Sequence, residues 1–136
     1  MPTSPDTPLT SDSFWPRAEK WLVVLIAIHS YAVGFFLLFF TRWGADFGGW
    51  GEVAPLFFAR QAGVFHFVVA TGYLNEYFRY RGVSLLLTTK IIAVLFLVSM
   101  MMVAEPAPWT IAPSALADGA MALVTYLVHR KAQQVG

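Results

Sequence analysis

The sequence contains no cysteine. Disulfides, thiolate nucleophiles, iron–sulfur ligation and Cys-based zinc sites are thereby excluded. Charge is scarce as well: 12% of the 136 residues are Asp, Glu, Lys or Arg, against about 25% in a typical globular chain. The formal net charge of +1 leaves no basic field of the kind that binds nucleic acid. What is abundant is apolar side chain, at 57% of the total. Such a composition fits one small domain whose solvent is lipid.

Met1–Ser13 is Pro, Ser, Thr and Asp without a basic region, so it reads as a polar, flexible tail rather than a signal peptide. Residues 14–131 read as one all-α, integral membrane four-helix bundle, followed by a short tail over 132–136. The expected helices cover about 17–41, 54–78, 83–103 and 111–129, each near the ~20-residue length that a bilayer requires, the second being less apolar because it contains Arg60, Gln61 and His66. Trp43, Gly44, Gly48, Gly49 and Gly51 are expected to break the chain after the first helix, and Pro55 suits the first turn of the second. Arg79-Tyr80-Arg81-Gly82 forms the next turn, and Glu105-Pro106-Ala107-Pro108-Trp109 a rigid third one. Short connections imply an up-down-up-down order.

Basic residues set the orientation. Arg17, Lys20, Arg79, Arg81, Arg130 and Lys131 collect at one end, while Arg42 and Arg60 fall toward the other. Both termini are therefore expected in the cytoplasm, with Trp15 and Trp21 at one interface and Trp43, Trp50 and Trp109 at the opposite one.

Ionisable groups inside spans cost about 2.5–3.5 kcal/mol each on the insertion scale, so each marks a candidate site. With ~1.5 Å of rise per residue, His29 falls roughly 13 Å and Lys90 roughly 10 Å from the cytoplasmic boundary. Asp118 and His66 fall near mid-membrane. Lys90 has two candidate anionic partners, Asp118 on the adjacent helix and Glu76 nearer the surface. A network of Arg60, His66, Lys90 and Asp118 follows, with His29 at its edge and Tyr73 beside it. Such charges either fix helix register or handle a ligand or proton. His29 and His66 alone, without flanking pattern, do not make a haem site. No HxxxH or HxxE spacing occurs, so no metal site is expected. His129 reads as an interfacial residue.

Small residues recur at helical spacing in two spans: Ala59, Ala62, Gly63, His66, Ala70 and Tyr73, then Ala112, Ala115, Asp118, Gly119, Ala122 and Thr125. They allow close helix approach. Phe35, Phe36, Phe39 and Phe40 offer bulk to lipid or to a partner protein, and Met100–Met102 reads as deformable packing.

His29-Ser30-Tyr31-Ala32-Val33-Gly34, then Arg42-Trp43 and Ala59-Arg60-Gln61-Ala62-Gly63, resemble the DoxX-like group of small bacterial membrane proteins. The resemblance spans about Trp21 to Arg130. It implies a four-helix bundle in the inner membrane and a link, through some members, to quinone-linked respiratory or sulfur-redox systems. It carries no catalytic residue over to this chain.

Three functions follow as expectations. The first is a non-catalytic accessory subunit of a larger membrane complex, such as an electron-transfer complex, with other membrane subunits or a second copy as partners. The second is a binding protein for a lipophilic molecule such as a quinone or lipid. The third is a proton-coupled enzyme or transporter using Asp118 and Lys90.

Overall fold

The structure, a computed structural model, describes residues 14–103 and 107–135. The tail over 1–13 and the Glu105-Pro106 part of the third turn lie outside the described residues. Among the described residues the chain is all-α: α1 (Phe14–Phe39), α2 (Thr41–Phe47), α3 (Leu56–Tyr80), α4 (Ser84–Val103) and α5 (Ile111–Val135). α1 packs most extensively on α3 and α4 on α5, and α1 with α5 joins the two pairs.

Three helices, α1, α4 and α5, are long and apolar enough to cross a membrane. α3, at the second of the four expected spans, is as long but carries Arg60, Gln61, Asn75, Glu76 and Arg79 and is not among the three. The interior is small, centred on Val23, Ile26, Tyr73, Tyr77, Val83 and Leu86. Large apolar side chains instead cover the outside, among them Phe58 (67% exposed), Leu95 (63%) and Leu116 (76%). Water would not tolerate that surface, whereas hydrocarbon would.

The first break falls earlier than the glycines suggest. Phe40 leaves helical geometry (φ −116°, ψ 33°), and the Thr41 hydroxyl donates to the Leu37 carbonyl at 2.6 Å. A side chain bonding back to the i−4 carbonyl bends a helix, so the chain resumes as the short α2 through Gly44. The turn proper comes at Gly49 and Gly51, whose φ values of +80° and +65° need glycine. This end is locked to the start of α5: Trp109 Nε1 donates to the Phe47 carbonyl at 2.8 Å and Thr110 Oγ1 to that of Gly48 at 2.9 Å.

At the α3–α4 turn, Glu76 takes a role that the sequence reading did not assign. Its carboxylate accepts the backbone N–H groups of Ser84 (3.1 Å) and Leu85 (2.9 Å), and the Ser84 hydroxyl. These are orphan donors at the N-terminus of α4, where negative charge is favoured. α5, expected to end near residue 129, continues to Val135.

α1 and α3 touch backbone to backbone. A Cβ on Gly63 would stand 2.8 Å from the Gly34 carbonyl oxygen, and one on Gly34 would stand 2.7 Å from that of Gly63. Gly119 on α5 has no such constraint, its nearest neighbour being Val94 at 3.8 Å. Gly63→Ala should therefore force the helices apart and cost about 1–3 kcal/mol, while Gly119→Ala should be neutral or slightly stabilising, by up to ~1 kcal/mol. Unfolding of both variants in mixed micelles checks the contrast; equal effects would contradict the glycine crossing.

Candidate functional site

α4 buries Leu86 and Lys90, one turn apart and in line with the buried Val83 just before the helix. An ammonium on that stripe must point inward, and the nearest element is α5. Lys90 Nζ donates to Asp118 Oδ1 at 2.6 Å, with side-chain exposures of 6% and 17%. The two charges cancel locally, and neither could be left alone there without a large desolvation cost.

The pair forms part of the wall of a half-open cleft of about 470 Å³ among α1, α3, α4 and α5. His29 and Ser30 reach it from α1, His66 from α3, and Ser114 from α5; Val33, Phe96 and Leu97 supply apolar surface. His29 is exposed, His66 is half-buried and Ser30 is buried. The cleft thus combines imidazoles and hydroxyls that donate or accept hydrogen bonds, a neutralised ion pair, and apolar walls. Among the described residues no three His, Asp or Glu side chains converge, so the cleft offers a metal ion at most two of them.

Four of the six expected site residues, His29, His66, Lys90 and Asp118, share this cleft. Arg60 and Tyr73 do not line it. At 3.6 residues per turn, Arg60 is rotated roughly 100° from the inward face of α3, which carries Gly63, Ala70, Tyr73 and Tyr77. Arg60 is exposed and lines a separate groove with Arg42 and Trp43. Tyr73 is on the inward face, but two turns from His66, or about 10 Å along the axis; it lies in the apolar core, 2% exposed. Glu76, the other candidate partner of Lys90, is engaged at the N-terminus of α4.

A second polar cluster escaped the sequence reading. Glu19 of α1 is only 6% exposed. Its carboxylate pairs with His129 Nδ1 of α5 and accepts the Tyr77 hydroxyl of α3 at 3.4 Å, while Gln133 Nε2 stands 2.9 Å from His129 Nε2. His129 is therefore a partner within the fold, not simply an interfacial residue. Its signal was available: Glu19 shares the 3–4-residue spacing of Val23, Ile26 and Ser30, the buried stripe of α1.

Comparison with protein-family models, with curated proteins and with solved structures found no match to this chain. The resemblance to the DoxX-like group therefore rests on the residues quoted for it.

If the ion pair holds α4 to α5, removing one member should cost more than removing both. Lys90→Met or Asp118→Leu alone should destabilise by about 3–5 kcal/mol, and the double substitution by much less. A double-mutant cycle in mixed micelles measures this, and additive losses would show that the two groups are not coupled.

Proposed function

We propose that this chain is a multi-pass protein of a bacterial inner membrane, with four spanning helices in up-down-up-down order and both termini cytoplasmic. α3 is the fourth span. Its Arg60 and Glu76 lie toward opposite ends, and the stretch between them carries no formal charge, its polar groups being Gln61, the cleft residue His66, Thr71, Tyr73 and Asn75. The concentration of basic residues at the Glu19 end supports the orientation.

Within that frame, the chain binds a lipophilic molecule, a quinone or a lipid, whose polar end enters the cleft. The observation that carries this reading is the cleft itself: His29, His66, Ser30 and Ser114 surround an ion pair that is already neutral, beside Phe96 and Leu97. Ligand sites combine apolar walls with a few placed polar groups in this way. An uncharged carbonyl or hydroxyl head suits the cleft better than a phosphate, because Asp118 already satisfies the Lys90 charge. The imidazoles would orient the head and the apolar walls would hold the body.

A second reading, docking to a larger membrane complex as an accessory subunit, is favoured by one feature. Phe35, Phe36, Phe39, Phe40, Trp43 and Phe47 form a continuous exposed run of ring contacts across the α1–α2 bend. Aromatic surface of this kind is also enriched at protein interfaces.

Native mass spectrometry after gentle extraction separates the two. The binding reading predicts a discrete small-molecule adduct that survives detergent exchange and is lost, about tenfold or more, when His66 and Ser114 are both replaced by Ala. Stoichiometric polypeptide partners with no adduct would favour the accessory subunit and contradict ligand binding.

A further inference from the structure

At the end of the molecule away from Glu19, Arg42 of α2 and Arg60 of α3 face one groove of about 400 Å³. Its remaining surface includes Phe39, Phe40 and Trp43. Both arginines are exposed, and among the described residues neither takes part in an ion pair. Asp46 and Glu52 line an adjoining recess that shares Arg42, but they do not reach ion-pairing distance.

Two guanidinium groups at this end call for a cause. Membrane insertion favours Lys and Arg at the cytoplasmic side, and six such residues already occupy the Glu19 end. Orientation therefore does not explain Arg42 and Arg60. Nor do they hold helices together through ion pairs among the described residues, where neither has a carboxylate partner. What they share is a groove floored by aromatic side chains at the edge of the apolar surface.

We propose that this groove binds the phosphodiester head of an anionic phospholipid, of the phosphatidylglycerol type. Guanidinium groups match phosphate oxygens in a planar, two-point geometry that Lys does not reproduce. Phe39 and Phe40 would lie against the upper acyl chains and Trp43 nearer the glycerol, at the interfacial depth that Trp favours in membranes. The pairing of cations with apolar surface distinguishes a lipid from free phosphate, which would gain nothing from the rings. The site is separate from the His66–Asp118 cleft and does not depend on what that cleft binds.

The test is native mass spectrometry of the purified full chain, titrated with phosphatidylglycerol and with phosphatidylcholine of identical acyl chains. The wild-type protein should retain phosphatidylglycerol about tenfold or more over phosphatidylcholine, in line with two cations near a charged head. The Arg42→Gln/Arg60→Gln double variant should lose that preference, while Arg130→Gln/Lys131→Gln at the other end should keep it. Unchanged preference in the first double variant would overturn the proposal. Should that variant fail to fold, Arg42→Lys/Arg60→Lys keeps the charge and should still weaken the preference several-fold; full retention there overturns the guanidinium role. Millimolar inorganic phosphate should not displace the lipid. If phosphate does, the groove is a free-anion site and the lipid assignment falls.

Discussion

An ammonium ion placed among apolar helices has few options: it must find a carboxylate, reach water, or give up its charge. Lys90 finds Asp118 at 2.6 Å, and much of the arrangement follows from that requirement. α4 is otherwise largely apolar, so beyond the Glu76 bonds at its first turn few polar contacts limit its freedom to rotate against its neighbours. The ion pair removes that freedom, because only one rotation of α4 and one register against α5 bring Nζ to the carboxylate. Lipid supplies no hydrophobic drive between helices, so polar contacts and close packing decide which faces meet.

The other contacts act in the same way at other depths. Gly34 and Gly63 let α1 and α3 meet at their backbones. Glu76 ties the end of α3 to the start of α4. Glu19 gathers α1, α3 and α5 at one end, and Trp109 and Thr110 fasten the α2 turn to α5 at the other. The cleft lies between these ties. Its polar groups come from four helices, so it exists only when all four are in register, which is what a preorganised ligand site requires.

Much of this was legible in the sequence, for identifiable reasons. Helix identity followed from long apolar runs, and depth offered Lys90 two carboxylates, Asp118 and Glu76, of which the structure pairs it with the first. Rotation about a helix axis was less accessible. Arg60 is at a plausible depth, yet it points roughly 100° away from the inward face, so it left the network. Tyr73 has the right rotation and the wrong depth. Thr41 bends the chain through a bond back to Leu37 of α1, a local event that the more conspicuous glycines hid. Glu19 was readable from the α1 stripe, but its position near the end of the helix, flanked by basic residues, resembled an ordinary solvated surface.

The register of α4 against α5, and the cleft that the pair helps to wall, rest on the ion pair forming inside the membrane-embedded fold. Magic-angle-spinning NMR measures it directly, through the dipolar coupling between ¹⁵N-labelled Lys90 Nζ and ¹³C-labelled Asp118 Cγ in lipid bilayers. Strong coupling at hydrogen-bonding separation is the predicted result. Absence of coupling in folded protein would contradict the register of α4 against α5, and with it the cleft.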